Sequence, residues 1–149
     1  MFCFVLLAIS GRDAPSVEQK YQYYGLGEKI SLEFGNKTFS MIVKEVKSDA
    51  KVSVSGKEVV TSGSFIIITG DILNLGSEAV DFKFKGDPEL KDNQNRHYTL
   101  YGAAISVGKL QPSVAKEVSY VFEIPKDASG LNFIVKDRTN IAKSVDLKR

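Results

Sequence analysis

His97 is the single histidine of this 149-residue chain, so any acid–base chemistry by an imidazole depends on it. It lies in Asn-Arg-His-Tyr, beside a turn-rich segment. A catalytic histidine also needs a nucleophile and an orienting carboxylate, and here no second histidine can share the work. The chain has one cysteine, Cys3, in the N-terminal segment. We therefore predict that His97 is an exposed histidine at a strand edge.

Ser-x-x-Lys motifs are present at Ser48 to Lys51 and at Ser113 to Lys116. In serine acyltransferases this spacing places the lysine on the same helical face as the nucleophilic serine. Neither motif lies in a helical pattern, and a chain with this many serines and lysines gives such matches by chance. The sequence therefore predicts no catalytic and no cofactor-binding residue, and a protein that is not an enzyme.

Oxygen-bearing side chains gather in the segment from Asp87 to Asn95. A calcium loop of the EF-hand type requires a central glycine and alternating oxygen ligands. Asp92 to Arg96 lacks that glycine and carries little negative charge. We predict solvated turns here and no metal ligand, with a weak calcium site assembled between loops as the alternative.

The elements that must position these residues are strands, because apolar and polar residues alternate with a period of two from Gly25 onward. No segment has a helical stripe. The predicted strands are residues 30–34, 39–43, 52–54, 65–74, 80–84, 89–91, 98–100, 118–124, 131–135 and 140–147. Several short strands separated by turn residues predict an all-β fold, an immunoglobulin-like β-sandwich of two antiparallel sheets.

The stretch Phe65 to Asn74 predicts a central strand, because a long β-branched run suits a strand covered on both faces. Gly70 predicts a bulge or close packing by a neighbour. We expect Asp71 on the outer face. The turn residues after the stretch predict a hairpin, with Val80 to Phe84 returning antiparallel. The interior is predicted to bring together Ile66, Ile68, Ile72, Phe82 and Phe122.

The N-terminal residues 1–10, MFCFVLLAIS, form an apolar run too short to span a bilayer. The run and its small-x-small end, Ala8 to Ser10, are typical of a secretory signal. Its missing basic region is explained if a longer signal or anchor precedes Met1; an ordinary first strand is the alternative. We predict a signal or anchor remnant in residues 1–10, a polar linker in 11–24, and the sandwich in 25–149.

Tyr21, Tyr23 and Tyr24 fall at the end of that linker. Exposed tyrosines can form a contact platform for carbohydrate or protein, but we expect an edge strand or a linker packed on the sandwich. The formal net charge is +2, with 20 basic and 18 acidic residues spread along the chain. No basic block stands out, so we predict no nucleic-acid partner.

Five features occur in a recognisable order: an apolar strand ending in asparagine, an alternating strand, a segment like L-x-D-x-x-G-x-x-Y, a segment like L-x-P-G, and a strand closing in F-x-x-P. They are Phe65 to Asn74, Val80 to Phe84, Leu90 with Asp92 and Tyr98, Leu110 to Ser113, and Phe122 to Pro125. Together they resemble the telokin-like, immunoprotective-antigen type of immunoglobulin-like domain. That resemblance implies an exported bacterial or archaeal protein, and it brings no catalytic residues.

The sequence therefore favours a non-catalytic, extracytoplasmic module without a cofactor, secreted or anchored on the outer face of the cytoplasmic membrane. It would bind an unidentified protein partner or support an envelope-associated assembly. Binding is expected on loops, at Lys85 to Arg96 and Gly102 to Pro112. The alternative is a β-sandwich that binds a small ligand, a sugar or calcium.

Overall fold

The computed structural model describes residues 18–101 and 107–149, and every regular element in these two ranges is a β-strand. We number the strands in chain order. They are β1 (Lys20–Tyr24), β2 (Lys29–Phe34), β3 (Lys37–Val54), β4 (Lys57–Asn74), β5 (Val80–Phe82), β6 (Glu89–Lys91), β7 (His97–Tyr98), β8 (Gly108–Leu110), β9 (Ala115–Ile124), β10 (Asn132–Val135) and β11 (Ile141–Asp146). In this part of the chain no helix is long and apolar enough to cross a membrane.

Two sheets form the sandwich, one with the order β1-β11-β10-β6-β7 and one with the order β2-β3-β4-β9. A short third sheet pairs β5 with β8. All pairs are antiparallel except β1 with β11, which is parallel. The predicted fold class, an all-β sandwich built from antiparallel sheets, is confirmed. The parallel edge strand and the third sheet were not predicted.

One hydrophobic core lies between the two large sheets, because their alternating residues turn inward. The five residues predicted to meet there are all in it: Ile66, Ile68, Ile72, Phe82 and Phe122. Phe39, Leu90 and Phe133 extend the core into neighbouring strands, each with at most 1% of its surface exposed. The period-two pattern thus located the interior.

Gly70 marks both a bulge and a close approach, as predicted. Val43 of β3 pairs with Gly70, and the next pair joins Glu45 to Thr69, so one residue of β3 is left over. A Cβ atom added at Gly70 would lie 2.6 Å from the carbonyl oxygen of Ile42. Glycine is required here because the partner's backbone occupies the space of a side chain.

Lys44 is the residue left over at this bulge. Its Nζ lies 2.9 Å from Glu117 Oε2 and 3.1 Å from Asp71 Oδ1. Hydrogen bonds to Glu117 and Asp71 raise the pKa of Lys44. Asp71 therefore lies on the outer face, as predicted, where it is part of a three-residue ion cluster.

Asn74 ends β4, but the predicted hairpin to Val80 through Phe84 is wrong. The Asn74 amide is buried; it donates to the carbonyl oxygens of Glu78 (2.8 Å) and Leu110 (3.1 Å) and accepts from the Gly76 amide (2.8 Å). These bonds satisfy the backbone of a loop that leaves the sheet. β5 consequently pairs with β8 instead of β4.

The predicted linker over residues 11–24 ends earlier than expected, because Lys20–Tyr24 forms β1 on the edge of a sheet. The tyrosine cluster is therefore part of an edge strand, with Tyr23 75% exposed. Residues 1–10 and the first part of the linker, through residue 17, lie outside the described residues. A parallel edge strand was not foreseen because polar YQYY shows no period.

Asp92 organises the turn between β6 and β7. Its buried carboxylate accepts from the amides of Gln94 and Arg96 (both 2.9 Å), from the Arg96 guanidinium (2.6 Å) and from the Tyr98 hydroxyl (2.8 Å). Burial alone raises the pKa of Asp92, but the hydrogen bonds from these donors outweigh it and hold the pKa well below its usual range. The Leu90-x-Asp92…Tyr98 pattern is thus a turn-building device.

The turn at Asp92 and the one before β9 share a backbone feature. Asn95 and Ser113 stand where the resembling domains carry glycine, and both have a φ of 61°. Few residues other than glycine adopt this left-handed conformation, and asparagine is the best tolerated of them. Both positions therefore hold a left-handed backbone conformation without a glycine.

We predict that Gly70→Ala lowers the unfolding free energy by about 1 to 3 kcal/mol, because the added methyl group overlaps the Ile42 carbonyl. Chemical denaturation monitored by circular dichroism measures it. The matched control is Gly25→Ala, whose Cβ would be 3.8 Å from its nearest neighbour and should change stability by less than about 0.5 kcal/mol. Equal effects of the two variants would contradict the close approach.

We predict that Asp92→Asn destabilises the fold at neutral pH and that the difference from the parent shrinks in acid. Because the folded-state pKa of Asp92 lies below the unfolded-state value, its carboxylate stabilises the fold above about pH 4, and this contribution is lost as the pH falls further. Denaturation between neutral and acidic pH measures the difference. Asp81→Asn is the control, since Asp81 is exposed and no ion pair to it is found within the described ranges. A pH-independent difference for Asp92→Asn would contradict the mechanism.

Candidate functional site

His97 lies on the edge strand β7 with its side chain half exposed, as predicted. Its Nδ1 is 3.0 Å from Glu89 Oε1 on the neighbouring strand. This carboxylate could orient an imidazole, but the hydrogen bonds of the described residues bring no serine, threonine or tyrosine hydroxyl to the ring. The pair is arranged as a cross-strand contact between β6 and β7.

The Ser-x-x-Lys motifs at Ser48 and Ser113 lie on strands and turns. Lys51 Nζ is 3.5 Å from Glu58 Oε2 across the β3–β4 hairpin. Lys116 Nζ donates to the carbonyl oxygen of Val107. Each lysine therefore has a partner other than its motif serine, and no helical face brings serine and lysine together.

Of the two loops predicted to bind a partner, Lys85 to Arg96 is described in full and Gly102 to Pro112 only from Val107 onward. The second half of the first loop is committed to the Asp92 turn. The Asp92 carboxylate already accepts four hydrogen bonds, which leaves it unsuited to calcium. Within residues 18–101 and 107–149, no group of three His, Cys, Asp or Glu side chains could hold a metal ion.

Asp137 is a buried carboxylate that joins three parts of the fold. Its Oδ2 accepts from the Glu33 amide of β2 (2.8 Å), and its Oδ1 accepts from the Thr139 amide (2.9 Å) and hydroxyl (2.5 Å). Lys143 Nζ lies 3.8 Å from Oδ2 and donates to Gln22 of β1 at 3.1 Å. These bonds fix the connection between β10 and β11 against the edge of the opposite sheet.

The fixed connection places Arg138 at a concave surface. The Arg138 amide donates to the Glu33 carbonyl (2.9 Å), and the Lys85 amide donates to the Lys136 carbonyl (3.0 Å). The resulting depression has a volume of about 440 Å³. We call it the basic cleft, and its lining residues are Phe34, Lys83, Phe84, Lys85 and Arg138.

Two further depressions adjoin the basic cleft. One, of about 400 Å³, shares Phe34, Lys83 and Arg138 with it and adds Lys37 and Asp81. The other, of about 500 Å³, shares Lys85 and adds Lys20 and Lys136 together with the carboxylates Glu18 and Asp137. The three form a continuous cationic surface built from the β2–β3 turn, the segment after β5, and the β10–β11 connection.

The cations that line the basic cleft form no ion pairs with carboxylates of the described residues. Among the described residues the cations within 4.0 Å of a carboxylate are Lys44, Lys47, Lys51, Arg96, His97, Lys143 and Lys148. Lys37, Lys83, Lys85, Lys136 and Arg138 are exposed and absent from that set. Their charges are free to act on something outside the molecule.

The apolar part of the basic cleft is held by an aromatic cluster. The Phe34 ring packs edge-on against Phe39 and Phe82, with centroids 5.8 and 5.5 Å apart. Phe84 packs against Phe82 at 4.9 Å. Edge-to-face pairs at these distances are favourable, so the lining is part of the core and keeps its shape.

A separate cavity of about 450 Å³ lies on the other side of Lys83 and Phe84. Phe82, Phe84 and Tyr120 border it, together with residues of the β5–β6 connection. Tyr120 is 4% exposed. Burial raises the pKa of Tyr120 to about 12, so its hydroxyl stays protonated at neutral pH. We call this space the aromatic cavity.

Sequence reasoning missed the basic cleft because its cations come from separated segments, residues 37, 83–85 and 136–138. No window of the sequence is strongly basic. One local signal was present: Lys83 and Lys85 alternate with Phe82 and Phe84, which places two lysines on one outward face. The contribution of Arg138 depends on the Asp137 contacts, which no periodicity reveals.

No family model matches the chain, and no curated protein matches it in sequence. Solved structures do match in fold. An uncharacterized β-sandwich protein from Clostridium difficile, 15% identical, aligns over 91% of this chain and 100% of its own with a TM-score of 0.62. The yjhA protein from Bacillus subtilis, 17% identical, aligns over 83% and 99% with a TM-score of 0.62.

The secreted protein MPT63 from Mycobacterium tuberculosis, 10% identical, aligns over 85% of this chain and 99% of its own with a TM-score of 0.62. At these identities the likeness shows the fold alone. The telokin-like family suggested by the sequence therefore remains a prediction. The chain is a β-sandwich similar to proteins of unassigned function, one of which is secreted.

Proposed function

We propose that this protein is a non-catalytic, extracytoplasmic module that binds a partner protein through the basic cleft. The observation that carries the proposal is the convergence of unpaired cations around Phe34 and Phe84. Exposed charges beside an apolar surface are what a recognition site requires, because the charges guide encounter and the apolar contact supplies affinity.

The state of the titratable groups supports a binding role over catalysis. The carboxyl group with the most strongly lowered pKa, Asp92, is fully occupied by donors of its own turn. The buried Asp137 likewise binds backbone and side chains of the fold. Catalytic groups with perturbed pKa values normally face a cleft with room for substrate. Asp92 faces the hydrogen-bond donors of its own turn instead.

Export is the second part of the proposal. It is supported by the signal-like composition of MFCFVLLAIS and by the fold likeness to a secreted β-sandwich. An anchor on the outer face of the cytoplasmic membrane would hold the module near envelope proteins. β1 begins at Lys20, so a tether from residues 1–17 would enter the fold beside the third depression of the cationic surface.

The aromatic cavity favours a second candidate function, binding of a small ligand. Tyr120 is nearly fully buried, and no hydrogen bond links its hydroxyl to another described residue. A buried hydroxyl without a partner is costly, and a ligand or a water molecule that accepts from it would remove that cost. The aromatic walls suit a small molecule with an apolar body and one acceptor group.

Site-specific photocrosslinking in intact cells of the native host tests the proposed function. A photoreactive amino acid in place of Lys85 is expected to give a discrete adduct with an exported protein. The same probe at Lys57, in the β3–β4 hairpin, is the position control. The adduct should disappear when Lys83→Glu and Arg138→Glu are combined, because the cleft then repels what it attracted.

Three results would overturn this function: no adduct at position 85, a crosslinked partner that resides in the cytosol, or adducts that persist in the double variant. Lys57→Glu with Lys126→Glu changes the net charge by the same amount and should leave the adduct intact. Circular dichroism of both double variants establishes that they fold. An unaffected fold is expected, since the substituted side chains are exposed.

The second candidate is tested by Tyr120→Phe. If the hydroxyl has no partner within the protein, its removal should leave the unfolding free energy unchanged or slightly higher. A loss of more than about 1 kcal/mol would show that the hydroxyl already bonds inside the fold. A thermal-shift screen with phenols, sugars and lipids then seeks the ligand, which at a hundred times its dissociation constant adds about 2.7 kcal/mol. An unchanged melting temperature with every compound would contradict this candidate function.

A further inference from the structure

We infer that the segment recognised by the basic cleft is an acidic stretch of polypeptide, with carboxylates at Lys83, Lys85 and Arg138 and an apolar side chain between them against Phe34 and Phe84. This inference rests on the proposed function, since it names the chemistry of the partner. It adds a specific ligand class to a surface whose charge pattern alone would accept any anion.

The sign of the ligand's charge follows from the groups that face the cleft. Lys83, Lys85 and Arg138 line it, and no carboxylate does. The exposed carboxylates Asp81 and Glu18 border the adjoining depressions and not the cleft itself, and the neighbouring Asp137 is buried and occupied by the fold. An acidic ligand would give the free cations the partners they lack, while a basic ligand would be repelled.

The apolar lining decides between an acidic peptide and a simple polyanion. Phe34 is only partly buried and lines both the basic cleft and the adjoining depression that holds Lys37. A phosphate polymer would satisfy the cations but leave this ring in water. A peptide supplies both components, because an apolar side chain beside acidic ones can cover the ring.

The hydrogen bonds at the edge strand beside the cleft indicate how the peptide binds. β2 is an edge strand, which by itself could accept a partner strand. At Glu33, however, the amide already donates to Asp137 and the carbonyl accepts from the Arg138 amide. Strand addition is blocked there, so recognition must use side chains. The adjoining depressions suit an extended segment rather than a compact one.

Fluorescence anisotropy of a labelled probe tests the inference. The probe is the peptide Glu-Asp-Glu-Phe-Glu-Asp-Glu, measured at about 0.05 M salt and at about 0.15 M, where exposed charges are more strongly screened. Comparison ligands are the same peptide with Phe replaced by Ser, its Gln/Asn analogue, and inorganic polyphosphate as competitor. The full-length protein is compared with Lys83→Glu/Arg138→Glu and with the charge-matched Lys57→Glu/Lys126→Glu.

The probe is expected to bind the parent and the charge-matched control alike, and to bind the cleft variant at least about tenfold more weakly, equal to about 1.4 kcal/mol. It should also bind more tightly than the serine peptide. Equal loss in both double variants, or no binding at low salt, would overturn the inference. The inference would also be overturned if polyphosphate competed as well as the peptide and the serine peptide bound as tightly as the phenylalanine peptide. A crosslinked partner could still be found in those cases, so the crosslinking experiment tests the proposed function independently of this inference.

Discussion

The carboxylate of Asp137 makes the contacts that position the side of the molecule carrying the basic cleft. It is fully buried, and it receives hydrogen bonds from the edge of β2 and from its own connection while Lys143 lies close by. A buried charge is tolerated only when donors replace water, and here they do. Because those donors come from β2 and from the β10–β11 connection itself, the contact also sets where this connection lies. The position of Arg138 follows directly.

The same principle operates at the other ends of the sandwich. Asn74 satisfies the loop that leaves β4, and Asp92 satisfies the turn between β6 and β7. In each case a short polar side chain bonds to backbone groups that have left a sheet ladder. Unpaired backbone groups in such places are costly, so these residues satisfy the backbone where the chain turns at the end of a strand. Asp71 is different, because its ion cluster lies on the outer face.

The sequence predicts the elements that alternation marks, but it does not predict those that single polar residues position. Alternation located the core, the long strand β4 and its neighbour β9, because burial on one face imposes a period of two. It misplaced β5, since the Asn74 turn resembles hairpin chemistry while its side chain directs the loop elsewhere. The edge strand expected at the tyrosines is present as β1, but its parallel pairing with β11 and the contact of Gln22 with Lys143 were not predicted. Long-range contacts of single polar residues leave no periodic trace, and the basic cleft is made of such contacts.

The arrangement of the charges explains how a positive surface forms at the basic cleft. Two carboxylates, those of Asp92 and Asp137, are buried in the fold, where they accept hydrogen bonds from backbone amides and from side chains of their own turns. Lys51 of the hairpin and Lys44 of the β3 bulge pair with glutamate or aspartate across strands. Lys83, Lys85 and Arg138 form no such pair among the described residues, and the carboxylate next to Arg138 in sequence, Asp137, is bound by the scaffold. A positive surface thus arises in a chain of almost balanced composition, without any basic run in its sequence.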